Sequence, residues 1–473
     1  MSQTPNATAT LPTNRAPFSL REIAAATSGV LQGNDREICG VSTDTRAIEN
    51  GSLFIALRGA NFDGHNYLRQ AQERGAIAAV VEAAPEAALL LNKEGLREVS
   101  DFPLVIVPDT TRALGDIARA HRRKFIIPVI GVTGSYGKTT TRALIAAALS
   151  PDYVVLSSQE NFNNEIGVPL TLLQLDETHK AAVIEMGMRG AGQIAELARI
   201  AEPTIGVITN IGPQHIEFLG SIEAIADAKA ELLEALPKDG IAILPSAKKY
   251  ARILAQKAAC RIVTFGTEQK ADYQAQNTAT QADGNISFTI RNAQHAIRDL
   301  RLSLPGMHNA LNAAAALAVG DVLGVSVENA IRALENASVP GARMKIVRIG
   351  GITIIDDSYN AGPDSMRAAL ETLRDFPTAR RRVAVLGAMK ELGAWTEEEH
   401  RNLGVLSAFA DELFCVGDET KATIESAGKG QWFASAEEAA PRARETVQSG
   451  DVVLIKGSRS VGLETVVSAL DKG

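Results

Sequence analysis

Gly131-Val-Thr-Gly-Ser-Tyr-Gly-Lys-Thr-Thr140 is the stretch that decides the reading of this chain. It follows an apolar run, Pro128-Val-Ile130, and opens onto 141–149, which reads as a helix. Strand, glycine-rich turn, Lys-Thr and helix is the layout of a phosphate-binding loop. Glycines let backbone N–H groups approach phosphate oxygens, and the helix N-terminus adds a dipole that favours anions. Lys138 is placed to reach β- and γ-phosphates, and Thr139 to offer its hydroxyl to Mg²⁺. Gly134, Ser135, Gly137, Lys138, Thr139 and Thr140 are therefore expected to hold the phosphates of a nucleoside triphosphate. The loop is a variant, Thr133-Gly-x-x-Gly-Lys-Thr-Thr140, with Val132 where the common pattern has its first glycine.

Outward from this loop, strands and helices alternate. Strands are expected at 153–156, 182–185, 205–209, 241–244 and 262–265, with helices near Thr139, Ile166, Ile194, Ile222 and Tyr250. Repeated βα units imply a largely parallel sheet covered on both faces. Residues 285–304 alternate apolar and polar, which predicts a small antiparallel addition, and 308–323 reads as an Ala-rich helix. A further α/β segment begins near Val339, with strands at 352–355, 383–386, 413–416 and 452–455. It reads as doubly wound, yet no G-x-G-x-x-G follows its first strand, so a dinucleotide site is disfavoured. Before the loop, 18–124 forms a third α/β segment, with Ser19 capping a helix over 20–27. The expected division is a tail at 1–17 and domains at 18–124, 125–336 and 337–473.

Composition narrows the classes. A chain of 473 residues with 45% hydrophobic content supports several cores, and the net charge of −7 argues against a general nucleic-acid binder. Cys39, Cys260 and Cys415 are far apart and fit a reduced, cytoplasmic protein. Residues 1–17 are polar without an apolar core, so they read as a disordered tail and not a secretory signal. No apolar stretch reaches the length of a membrane helix.

In open α/β sheets, ligands gather at the C-terminal ends of strands. Glu185 ends one strand, Asn210 and His215 follow another, and all three are expected to face the crevice of Lys138. There Glu185 and His215 read either as Mg²⁺ ligands, direct or through water, or as a capping carboxylate and a surface histidine. Asn161, Asn163 and Asn164 read as hydrogen-bonding groups for a sugar or peptide, or as an Asx-rich turn. Lys229 and His400 sit in helical stretches where the ordinary reading is a solvated face. Asp356-Asp-Ser-Tyr-Asn360 and Lys456-Gly-Ser-Arg-Ser460 end strands of the last segment and carry the chemistry of a polar site. A cleft between two such α/β domains suits the joining of two reactants.

These motifs resemble those of the Mur ligase family, ATP-dependent amide-forming enzymes of bacterial cell-wall precursor synthesis. The resemblance runs from about Phe18 onward, through the phosphate loop, Glu185-Met-Gly, Asn210-Ile-Gly-x-x-His215, Ala228-Lys-x-Glu231 and Leu304-Pro-Gly-x-His-Asn-x-x-Asn312. Asn161–Leu173, Asp356–Pro363, Leu386-Gly-x-Met-x-Glu-Leu-Gly393 and Lys456–Ser460 are similar to the last-acting ligase of that series. The sibling that adds the third amino acid is disfavoured by the first and third of these. A switch-type ATPase would want a strand ending in Asp where Glu185-Met-Gly stands.

The resemblance implies a three-domain fold, with an N-terminal α/β domain, a central ATPase domain and a C-terminal Rossmann-like domain. It implies that ATP phosphorylates the carboxylate of UDP-N-acetylmuramoyl-tripeptide and that D-alanyl-D-alanine attacks the acyl phosphate. It assigns catalysis to Lys138, His215 and Lys229. Mg²⁺ falls to Thr139, Glu185, His215 and Lys229, the last as a CO₂-derived carbamate. Asn309, Asn312, Arg343 and Asp357 fall to ATP. Substrate contacts fall to Ser42, Thr43, Asp44, Thr45, Arg46, Asn161, Asn163 and Asn164, and to Tyr359, Asn360, Lys456, Ser458 and Arg459. A cytoplasmic, membrane-free monomer is the accompanying expectation. Three places depart from the family pattern: Gln214, Gly362 and Pro245-Ser-Ala-Lys248.

Overall fold

The computed structural model describes residues 13–82, 102–159, 161–292, 294, 297–377 and 380–471. The chain divides into two compact units. The first comprises Met1–Val129, Val154–Met186 and Ala195–Pro203; the second comprises Ile130–Tyr153, Gly187–Ile194 and Thr204–Gly473.

The first unit holds a five-stranded sheet in the order Val30–Gln32, Leu104–Val107, Ala78–Glu82, Leu53–Ile55, Val41–Ser42. It is parallel except for Val30–Gln32, which runs against Leu104–Val107. The helix Leu20–Thr27 starts where Ser19 predicts: the Ser19 hydroxyl accepts from Glu22 N, and the Glu22 carboxylate accepts from Ser19 N. Such a capping box satisfies two otherwise unpaired donors and contributes about 1 kcal/mol. The same unit carries the parallel strands Val155–Ser157 and Ala181–Glu185.

The expected tail is shorter than 1–17 at its inner end. Pro17–Ser19 pairs antiparallel with Glu37–Cys39, and the Asn14 carboxamide bonds both ways to the Val41 backbone, which ties this polar residue down. Residues 1–12 lie outside the described residues.

In the second unit the strand Val129–Thr133, all but its first residue in this unit, pairs in parallel with Ile205–Ile208. The sheet continues through Ile241–Pro245, Arg261–Gly266 and Tyr273–Thr280, all parallel. Ile286–Arg291 and Ile297–Leu302 then add the antiparallel edge. The antiparallel addition therefore includes Tyr273–Thr280, whose Gln- and Thr-rich sequence hid it. The helix Lys138–Leu149 packs on the Ala-rich helix His308–Val322, whose small side chains let the axes approach.

A second sheet in this unit has the order Lys345–Ile349, Ile352–Asp357, Val452–Lys456, Arg382–Gly387, Glu412–Val416, Gln431–Phe433. Only Lys345–Ile349 is antiparallel. Among the described residues no helix is long and apolar enough to cross a membrane.

Candidate functional site

The phosphate loop is stitched to the segment that follows Ile205–Ile208. Thr133 and Ile208 are cross-strand partners, so Gly134 and Thr209 leave the sheet side by side. Gly134 has φ 151, and a methyl group on it would collide with the Thr209 hydroxyl. Only glycine fits there, and the loop backbone stays open to a ligand. Thr209 Oγ1 donates to Tyr136 O at 2.7 Å, Asn210 Oδ1 accepts from Tyr136 N at 3.0 Å, and Ser135 Oγ accepts from Gly212 N at 2.8 Å. Lys138 folds over the turn and donates to Gly134 O at 2.8 Å and Ser135 O at 3.3 Å. Gly137, with φ 74, opens the helix, and Thr139 is buried in its first turn beside the partly buried Thr140.

Behind the loop, Asn312 Oδ1 accepts from Thr141 Oγ1 at 3.1 Å and its Nδ2 donates to Asn309 Oδ1 at 2.9 Å. Asn309 in turn donates to Pro305 O. Both asparagines are buried, and Asn312 lies against Gly137.

Lys229 overturns the solvated-face reading of its helix, Ile222–Glu234: it is 2% exposed. Among the described residues its ammonium makes no hydrogen bond or ion pair. Burial, and then the neighbouring Lys138 charge, hold its pKa well below the ordinary lysine value. Burial thus favours the neutral amine over the ammonium, and the neutral amine is the nucleophilic form.

His215, in the left-handed region with φ 61, precedes the helix Ile216–Leu219. Its Nδ1 is 2.5 Å from Glu391 Oε2, and Arg189 meets Glu391 Oε1 at 3.1 Å. Glu391 also has positive φ, 62. Such backbone costs on the order of 1–3 kcal/mol per residue and persists only where the surroundings enforce it. Burial lowers the His215 pKa, opposed by Glu391; the bond to His215 lowers that of Glu391. A neutral imidazole donating to a carboxylate satisfies both.

The departures Gln214 and Gly362 meet in space. A side chain at 362 would run into the Gln214 amide, so the larger residue at 214 occupies room that the missing one at 362 leaves. Ser246, from the third departure, donates to Glu268. Asp364 lies against Gly212, and burial raises its carboxyl pKa. The Tyr136 phenol nearby is pushed up to about 12, by burial first and then by Asp364 and Glu371.

At the strand ends of the second sheet, Asp357 and Lys456 are cross-strand partners joined by a 2.6 Å ion pair. Lys456 also donates to Asn360 O at 2.8 Å, and Asp357 accepts from Met344 N at 3.1 Å. The Arg343 guanidinium lies 4.0 Å and that of Arg459 5.6 Å from the Tyr359 ring centre. Ser458 Oγ accepts from Lys390 N at 3.0 Å. His400 also overturns its solvated-face reading: it is wholly buried, with Nε2 accepting from Met389 N at 3.1 Å and Nδ1 donating to Thr396 O at 2.7 Å.

In the first unit, Ser42 and Thr43 line a small pocket with Asn14, Ser52 and Leu170. Asp44 caps the turn Thr45–Ala47 and pairs with Arg46, which holds its carboxyl below the usual range despite partial burial. Thr45 donates to Gln70. Asn164 Oδ1 accepts from Ile166 N at 3.3 Å, as an Asx turn should, and from Gly167 N at 2.8 Å, which caps the helix that follows. Asn163 Nδ2 donates instead to Glu185 Oε1 at 2.9 Å, and Asn161 is exposed. Glu185 is buried, its N–H bonded to Ser158 Oγ.

Three family models match: "Mur ligase family, catalytic domain" over 37–122, "Mur ligase middle domain" over 132–320 and "Mur ligase, glutamate ligase domain" over 342–459. A Synechocystis protein named UDP-N-acetylmuramoyl-tripeptide–D-alanyl-D-alanine ligase is 40% identical over 447 residues, 92% of each chain. The chain belongs to the Mur ligase family. The Bacillus subtilis ligase of the same name is 35% identical over 96% of this chain and 98% of its own. Among solved structures, MurF from Acinetobacter baumannii is 31% identical with TM-score 0.89, covering 97% of this chain and 100% of that one. MurF ligase from Thermotoga maritima, solved with ADP, is 28% identical with TM-score 0.82, covering 91% and 97%. Like its family, this Mur ligase is an ATP-dependent ligase with a mixed α/β fold.

The loop fits the nucleotide of such a ligase: a glycine cradle that a side chain would fill, a helix N-terminus, a lysine and a buried threonine hydroxyl. Among the described residues no group of three or more His, Cys, Asp or Glu forms a ready-made metal cage. Thr139 and His215 offer the sparse donors that suit Mg²⁺, an ion held largely through nucleotide phosphates. Reading the sequence missed Glu391, Arg189 and Asp364. Glu391 lay inside the quoted Leu386–Gly393 stretch, but nothing local shows that it reaches His215.

Proposed function

We propose that this Mur ligase joins D-alanyl-D-alanine to UDP-N-acetylmuramoyl-tripeptide, as the names of its relatives say of them. The observation that carries the proposal is identity of 40% over 92% of both chains. ATP transfers its γ-phosphoryl group to the tripeptide carboxylate, giving ADP and an acyl phosphate. The dipeptide amine adds to that carbonyl, and phosphate leaves with one former carboxylate oxygen. The chain's work is positioning and charge neutralisation.

Gly134, Ser135, Gly137 and Thr140 cradle the phosphates, and Lys138 leaves its loop carbonyls to meet them. Bound Mg²⁺ supplies charge neutralisation, with Thr139 and His215 as its protein donors. Glu185 has its Mg²⁺ role from the family resemblance alone. Lys229 as a neutral amine adds to CO₂, losing a proton, and becomes a carbamate, a further anionic donor. Asn312, set by Asn309, serves the adenine, Asp357 the ribose and Arg343 the phosphates. Ser42, Thr43, Asp44, Thr45, Arg46, Asn161, Asn163 and Asn164 serve the UDP-linked peptide. Tyr359, Asn360, Lys456, Ser458 and Arg459 serve the dipeptide side. The working division is 18–124 for the UDP substrate, 125–336 for ATP and 337–473 for the acceptor, in a cytoplasmic monomer without nucleic acid.

Tripeptide labelled with ¹⁸O in its terminal carboxylate tests the pathway. One labelled oxygen in the released phosphate is expected; unlabelled phosphate accompanying product would overturn the acyl phosphate.

A further inference from the structure

Glu391 stands on the Gly387–Gly393 stretch, 176 residues from the histidine it meets. That stretch is braced from two sides. His400 Nε2 accepts from Met389 N at 3.1 Å, and Ser458 Oγ accepts from Lys390 N at 3.0 Å. Leu392 is buried, and Gly393, with φ 54, packs against Glu217. Between these anchors Glu391 is held in the left-handed region, and so is His215 opposite. Two L residues in that conformation, facing each other, mark a contact that the surrounding structure imposes. Both Glu391 oxygens are engaged, Oε2 by His215 Nδ1 at 2.5 Å and Oε1 by Arg189 at 3.1 Å.

From this geometry we infer that Glu391 is a positioning residue that fixes the tautomer and ring orientation of His215. Nδ1 carries the proton, donated to Glu391. Nε2, on the far side of the ring, keeps the lone pair that a metal ion needs. A carboxylate behind a ligating histidine orients the ring and raises its basicity, and losing such a partner typically weakens metal binding 10–100-fold. Arg189 fixes the carboxylate in turn. The last segment of the chain thereby governs a group beside the phosphate loop, and His400 and Ser458, which touch neither, set the backbone that makes this possible. The inference rests on His215 being a Mg²⁺ donor.

Binding of Mn²⁺, as a spectroscopic stand-in for Mg²⁺, to the full-length protein with ADP tests it by electron paramagnetic resonance. His215→Ala is expected to weaken binding, and Glu391→Ala to weaken it by about 10-fold or more. Glu391→Gln, which can still accept from Nδ1–H, is expected to recover most of the loss. The double variant should bind no more weakly than His215→Ala. Wild-type affinity in Glu391→Ala with weak binding in His215→Ala would overturn the role of Glu391. Wild-type affinity in His215→Ala would instead remove the metal role of His215. Should Glu391→Ala not fold, ¹⁵N spectra of the wild-type imidazole decide: a proton on Nδ1 supports the inference, and one on Nε2 alone overturns it.

Discussion

Lys456 Nζ lies 2.6 Å from Asp357 Oδ2, and the two residues are direct partners across parallel strands. Their side chains are 3% and 13% exposed, so both charges are largely shielded from water. Removing one partner of such a pair costs about 3–5 kcal/mol, whereas replacing both with apolar groups costs far less. Lys456→Met is therefore expected to lower unfolding free energy in urea by about that amount. Asp357→Leu/Lys456→Met should recover most of the stability while losing ligase activity. A Lys456→Met protein as stable as wild type would contradict this.

Gln214 and Gly362 form a second coupled pair, read from the space at 362 that the Gln214 amide takes. Gly362→Asn forces that flexible amide aside, at an expected cost of about 1 kcal/mol. Adding Gln214→Ala should relieve it, giving a coupling energy of about 0.5 kcal/mol or more. Strict additivity in thermal unfolding would show that the two positions do not compensate.

Lys229 carries the carbamate prediction. Protein equilibrated with ¹³CO₂ is expected to show a labelled carbamate carbon that is missing from Lys229→Ala. Carbamate formation releases a proton, so the signal should fade as pH falls. Lys229→Met should be inactive yet unfold no earlier than wild type, because it removes a desolvated amine. A fully active Lys229→Met protein would sink the assignment.

His308 predicts the acid behaviour. Burial lowers its pKa to about 4 from the ordinary 6.5, with the Lys456 charge adding to the effect. Above pH 6.5 the ring is neutral in both folded and unfolded chains, and its contribution is complete. Between about 6.5 and 4 only the unfolded chain takes the proton, so stability falls with pH and levels off below. Because the residue is only partly buried, the loss is about 2–3 kcal/mol or less. His308→Gln should show a flatter fall in Tm across that window; an unchanged slope would assign the acid sensitivity elsewhere.

Much of this was legible in the sequence because it is local. The phosphate loop announces itself by glycine spacing, Ser19 by its place just before the helix over 20–27, and the long apolar strands by composition. Short or polar strands such as Glu37–Cys39 and Tyr273–Thr280 were hidden, since pairing rather than pattern makes them. Lys229 and His400 were misread for a related reason. A helix face is solvated only if nothing packs on it, and here other elements bury both. The Asn161–Asn164 turn was ambiguous in sequence and is divided in the structure: Asn164 caps, while Asn163 turns to Glu185. Glu391 needed the fold, because its partner is 176 residues away.

The most direct test of the central claim is phosphate release from ATP and Mg²⁺ with UDP-N-acetylmuramoyl-tripeptide, with and without D-alanyl-D-alanine, followed by mass analysis of the product. Release that requires both substrates and yields the UDP-muramoyl-pentapeptide is the predicted result. Release indifferent to D-alanyl-D-alanine, with no pentapeptide formed, would contradict it.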